Sequence, residues 1–131
     1  MREQNSKLVI AGLLGALGVG LGAFGAHGLK PLLSVHELAN YKTGISYQMI
    51  HTVLLVVLAL YSGQNRRLRF AFWAIVAGVV LFSGSLYLLS TKEILGLTNW
   101  RWLGPITPLG GLSLIVGWLA IAFSGLRPNS E

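Results

Sequence analysis

The chain contains no cysteine, which removes disulfide frameworks, thiol nucleophiles and Cys-based zinc or iron–sulfur sites together and leaves the redox compartment open. Charge is scarce too: charged residues are 11% of the 131 positions, against about 25% in a typical globular domain. Only four residues are acidic and three are histidine, so carboxylate-rich metal sites and acid–base pairs have little to be built from. What the chain has instead is apolar surface. Hydrophobic residues are 53% of the sequence, 17 positions are glycine, and the mean hydropathy is +0.66. So small a domain buries too little of itself to hide that surface in a private core, and the composition therefore implies lipid as the surrounding solvent. The formal charge of +6 suggests nucleic acid at first sight. The basic residues, however, stand only between long apolar runs, a pattern of membrane topology rather than of a basic binding face. Membrane lipids are the expected partner, and nucleic acid is not.

The runs span residues 8–29, 43–62, 70–90 and 106–126, each near the roughly 20 residues an α-helix needs to cross about 30 Å of hydrocarbon. Backbone groups in lipid must pair within their own segment, and strand alternation is absent, so the runs are helices. The expected fold is all-α: an integral membrane four-helix bundle making one transmembrane domain over residues 1–131. Ser34 with Glu37 forms a capping box that opens a helix near Val35, which either lies in the interface or runs into the second span. Thr107 before Pro108 reads as an N-cap with proline at the first helical position. Ser62-Gly63-Gln64-Asn65 reads as a turn, and Pro31 and Pro105 mark loop ends. Tyr41 and Tyr61 bracket the second span, and Trp100 and Trp102 precede the fourth, as interfacial aromatic belts do. Arg2, Lys7, Arg66, Arg67, Arg69 and Arg127 fall on one side, Lys30, Lys42, Lys92 and Arg101 on the other. The positive-inside rule then places both termini in the cytoplasm. A cleaved signal peptide is not expected, since the first run exceeds a usual h-region and lacks a polar segment before Ala23-Phe24-Gly25.

Two small-residue ridges mark the first span: Gly12, Ala16 and Gly20 on one side, Gly18, Gly22 and Ala26 on the other. Small residues four apart let helix backbones approach closely. Either this helix is the central, most enclosed one of its own bundle, or it associates with a second copy or a larger membrane complex. Ala74 and Gly78 in the third span and Ser113 and Gly117 in the fourth form matching surfaces.

Polar positions inside the spans are few. His27, Tyr47, Gln48, His51, Ser83, Ser85, Tyr87 and Thr107 all fall in the outer half if the second span begins near Thr43, with His51 about 12 Å deep at 1.5 Å per residue. Tyr47, Gln48 and His51 share a helix face by their spacing. Such a layer either hydrogen-bonds between helices and sets their register, or lines a shallow outward cavity for a solute, a lipid headgroup or a proton. No intramembrane carboxylate or cation accompanies the histidines, which speaks for the first. Three histidines spread along the chain do not supply the convergent ligands of a metal centre. Ser83-Gly84-Ser85 with His51 is the only hint of a nucleophile and base, and serines in membrane helices are far more often packing residues. No phosphate-loop context exists; neither cofactor nor catalytic residue is expected. The apolar loop Ile94-Leu95-Gly96-Leu97 with Trp100 and Trp102 lies on the membrane surface or docks a partner.

The same residues carry a family resemblance. Ala23-Phe24-Gly25-Ala26-His27-Gly28-Leu29, Tyr47-Gln48-Met49-Ile50-His51, Leu81-Phe82-Ser83-Gly84-Ser85-Leu86-Tyr87, Ile106-Thr107-Pro108-Leu109-Gly110-Gly111 and Gly117-Trp118 follow in order, and in this the chain resembles the YgdD-like inner-membrane proteins. That is a family of unknown function, made of small bacterial four-span proteins with small eukaryotic transmembrane relatives. The loop Thr91–Gly104 is longer than the family pattern. The resemblance implies a four-helix inner-membrane protein and, for some members, a link to membrane integrity; it implies no activity, catalytic residue or cofactor. From these readings follow a non-enzymatic accessory or membrane-stabilising protein that acts by association, and, as the alternative, a small transporter or channel whose pathway starts at His27, Gln48, His51 and Ser85. An intramembrane enzyme ranks third.

Overall fold

The computed structural model describes residues 1–63, 65–97 and 99–126; Gln64 of the expected turn and Arg127 of the charge pattern lie outside the described residues. It comprises α1 (Arg2–Phe24), continued by a π-helical turn (Gly25–Leu29), α2 (Val35–Tyr61), α3 (Arg66–Thr91) and α4 (Leu103–Gly125). All four helices are long and apolar enough to cross a membrane. Among the described residues there is no strand.

Two of the helix starts follow capping chemistry, and all four lie earlier than the apolar runs suggest. Ser34 Oγ accepts from the Glu37 amide and Glu37 Oε2 accepts from the Ser34 amide, so the capping box starts a helix that runs unbroken into the second span. At 1.5 Å per residue α2 is about 40 Å long, more than the roughly 30 Å of hydrocarbon. Asn65 Oδ1 accepts from the amides of Arg67 and Leu68, starting α3 at Arg66 rather than near Phe70. Arg66, Arg67 and Arg69 thus occupy the first helical turn and not a loop. The Thr107 expectation fails: α4 begins at Leu103, and Pro108 sits inside the helix. Pro105 in the first turn costs nothing, because amides there have no intrahelical acceptor. Pro108 forgoes one bond, to the Gly104 carbonyl. Thr107 is then a wall residue, not a cap.

Consecutive helices pack antiparallel: α1 on α2, α2 on α3, and most extensively α3 on α4. Lys7 meets Ser62, Leu14 meets Gln48, Gly44 meets Ser83 and Ala74 meets Ser113. The core, with Ala11, Leu55, Leu58, Phe72, Ile75 and Leu114, draws on all four helices. The middle of the molecule is α2 and α3. The glycine-rich first helix is not the most enclosed: 17% of its apolar window is buried, against 39% for α2. Small side chains determine how near a neighbour can come, not how many neighbours there are, and α1 packs chiefly on α2. The α3–α4 crossing shows the first effect. A Cβ at Gly110 would collide with the backbone of Phe82, one at Gly78 would stand 2.5 Å from Leu114 Cδ2, and one at Gly117 2.6 Å from Ile75 Cδ1.

Candidate polar site between the helices

Several buried polar side chains join helices in pairs, while Thr52 Oγ1 and Ser90 Oγ have no hydrogen-bond partner among the described residues. Tyr87 Oη on α3 donates to Gln48 Oε1 on α2 at 2.6 Å, and Gln48 Nε2 donates to the Leu14 carbonyl on α1 at 2.7 Å. One side chain, 2% exposed, therefore ties three helices together. Gln48 can do this because its amide carries a donor and an acceptor on opposite sides. Ser83 Oγ donates to the Gly44 carbonyl at 2.7 Å, and Ser85 Oγ, which donates to the Phe82 carbonyl at 2.9 Å, accepts from Thr107 Oγ1 at 2.6 Å.

His51 has its own partners. Its Nδ1 lies 2.7 Å from the Tyr47 carbonyl, and its Nε2 lies 3.1 Å from Trp118 Nε1 on α4. A carbonyl can only accept and an indole N–H can only donate. The ring is therefore the neutral Nδ1–H tautomer, with both nitrogens spent. The ring also stacks on Tyr47 at 5.8 Å, and Tyr47 packs on Phe82 at 4.6 Å. Tyr47 contributes this ring face and its carbonyl and stays 42% exposed, whereas His27 is an exposed residue of the π-helical turn. The structure thus brings Gln48, Ser83 and Tyr87 together, pairs Ser85 with Thr107, pairs His51 with Trp118, and leaves His27 outside. Neither serine hydroxyl is bonded to His51, and among the described residues no cluster of three His, Asp or Glu side chains converges.

Gln48 stands level with Leu14, about 9 Å along α1 from Leu8 at 1.5 Å per residue, whereas Tyr41 stands level with Leu21. Two of the participants lie outside the polar positions expected from the sequence, Tyr41 because its type and place suggested a membrane surface and Trp118 because it stood only as part of a motif. Tyr41, expected in an aromatic belt, is 2% exposed. Its hydroxyl donates to the Leu21 carbonyl at 2.6 Å, its ring lies 5.1 Å from that of Tyr87, and it fills the space above Gly25. Trp118 keeps its ring 47% exposed while turning Nε1 inward. A signal for Tyr41 existed in its position seven residues, two turns, before Gln48 on one face of a helix already opened at Val35.

Of the two ridges on α1, Gly18 and Gly22 face α2, where a Cβ would stand 2.5 Å from Met49 Sδ and 3.4 Å from Ile45 Cγ2 respectively. Ala26 at the end of that ridge is exposed. A Cβ at Gly12 or Gly20 would meet nothing within 4 Å, and Ala16 between them is exposed.

Four apolar helices tied together by hydrogen bonds inside the bundle define a multi-pass membrane protein. Residues 21–111 match the family model described as "Protein of unknown function (DUF423)". The chain is 43% identical over 121 residues to a UPF0382 membrane protein of Staphylococcus aureus, covering 91% of this chain and 94% of the relative. It is 37% identical over 130 residues to a UPF0382 membrane protein of Haemophilus influenzae, covering 97% and 98%, and 38% identical over 124 residues to the UPF0382 inner membrane protein YgdD of Escherichia coli, covering 92% and 88%. The chain belongs to this DUF423 family of membrane proteins. No solved structure matches it.

Proposed function

We propose that this protein is a non-enzymatic component of the inner membrane that acts by helix packing and association, with both termini in the cytoplasm. The observation that supports this most is the state of His51. A proton relay or solute pathway needs a group free to change partners, and this ring already spends one nitrogen on Tyr47 and the other on Trp118. Gln48, Ser83, Ser85, Tyr87 and Thr107 are engaged in the same way. They serve the register of the bundle. Association would then run through the side of α1 that carries Gly12, Ala16 and Gly20, since the Gly18–Gly22 side is occupied by α2.

His51→Ala in proteoliposomes tests the reading. It should lower the thermal stability of the detergent-solubilised protein while changing no proton or solute flux relative to the wild type. Intact stability together with loss of a measured flux would transfer the function to the transporter alternative. Replacing Gly12, Ala16 and Gly20 by leucine should abolish crosslinked oligomers in native membranes without unfolding the chain.

A further inference from the structure

A second polar site lies at the opposite end of the molecule, where the start of α1, the end of α2 and the first turn of α3 meet. Lys7 lies there at 2% exposure, a burial seldom seen for lysine. Its Nζ donates to Ser62 Oγ at 3.0 Å, lies 2.9 Å from Glu3 Oε1 and stands 5.5 Å from the centroid of the Phe72 ring. Arg69 Nη1 approaches the other Glu3 oxygen at 3.7 Å. Beside these groups opens a cavity of about 340 Å³ lined by Glu3, Lys7, Ser62, Gly63 and Arg69 among others.

The charge in this cavity is unbalanced. Lys7 and Arg69 face it with one carboxylate between them: Glu3 pairs closely with Lys7, but it is 56% exposed and its approach to Arg69 is long. A guanidinium offers five donors in a planar fork, suited to two oxygens of a carboxylate or phosphate. Lys7 adjoins Leu8, where the first apolar run begins, so the cavity stands at the headgroup level of a bilayer. Basic pockets between transmembrane helices at that level suit anionic headgroups.

We propose that this cavity is a phosphate-anion site, that its ligand is the phosphodiester headgroup of an anionic membrane lipid, and that Glu3 is the internal counter-ion the ligand displaces. The phosphate oxygens would take the Arg69 fork and replace Glu3 on the buried Lys7 ammonium, while the half-exposed Glu3 side chain turns to water. Ser62 and Phe72 keep Lys7 in place throughout. This site shares no residue with the His51 network or the Gly12–Gly20 face, so it can stand or fall apart from the function proposed above.

The test is native mass spectrometry of the full-length protein in detergent, titrated with phosphatidylglycerol, with phosphatidylethanolamine and with inorganic phosphate. Wild-type protein should retain phosphatidylglycerol selectively. Arg69→Gln should reduce that retention about tenfold or more, and Glu3→Gln should raise it several-fold, whereas a purely structural ion pair predicts no gain on removing Glu3. Both side chains are substantially exposed, so the variants are expected to fold where Lys7→Met would not. Displacement of the lipid by millimolar inorganic phosphate, or phosphate adducts without lipid adducts, would keep the site and assign it to the free ion. Equal retention of the two lipids, or retention unchanged in both variants, would overturn the proposal.

Discussion

A buried polar side chain in this protein answers to the groups it meets, and Gln48 shows how much depends on one residue. Its amide accepts from Tyr87 and donates to Leu14, so a change at either end leaves a polar atom unpaired in an apolar interior. Interhelical hydrogen bonds in membranes average about 0.6 kcal/mol and reach about 1.7 kcal/mol. Tyr87→Phe should therefore destabilise the protein within that range, read as a shift in the denaturation midpoint in mixed micelles. Gly110 is less forgiving, because what would meet its Cβ is the Phe82 backbone rather than a movable side chain. Gly110→Ala should cost at least the 1–3 kcal/mol or so typical of overpacked cores, with a correspondingly lower thermal midpoint, while Gly111→Ala, whose Cβ would make an ordinary 3.7 Å contact with Phe82 Cδ2, should be nearly silent.

At the level of the helix, the ends carry as much information as the spans. Three arginines in the first turn of α3 oppose the positive end of the helix dipole. Asn65 offsets them by holding two amides, and Arg67 is drawn away to the Phe123 carbonyl near the end of α4, where a cation suits the free carbonyls. Asn65→Ala should then cost about 1 kcal/mol and should loosen the α4 end as well, seen as faster amide exchange in residues of both helix termini. The capping box at Ser34 was legible from two residues three apart. The start of α4 was not, because Thr107-Pro108 carries the local chemistry of a helix start equally well, and only the packing of Leu103 into the fold, at 1% exposure, draws the helix one turn further back.

Across the whole molecule the arrangement is a sequence of antiparallel neighbours with α2 and α3 in the middle. It leaves α1 and α4 each with 17% of their apolar windows buried, so most of their surface is available to lipid or to another helix. The basic residues Arg2, Lys7, Arg66, Arg67 and Arg69 gather at one end of this array, and the orientation they imply has a clean test. The chain has no cysteine, so single substitutions Asn5→Cys and Asn99→Cys, placed at opposite ends, can be probed one at a time with a membrane-impermeant thiol reagent. Asn5→Cys should be labelled only in inverted vesicles and Asn99→Cys only in intact spheroplasts. The opposite pattern would reverse the orientation and place the Lys7–Arg69 cavity in the outer leaflet.

The amino-acid order by itself determined that there are four membrane helices and where the capping box opens the second of them. Span length and the pairing of backbone groups in lipid are properties of one segment at a time, and they do not depend on neighbours. The pairing of His51 with Trp118, the inward turn of Tyr41, the burial of Lys7 and the outward face of Gly12, Ala16 and Gly20 were decided only by the tertiary structure. Each depends on the rotation and axial register of one helix against another, and these are set jointly by all the close contacts along the α1–α2, α2–α3 and α3–α4 seams.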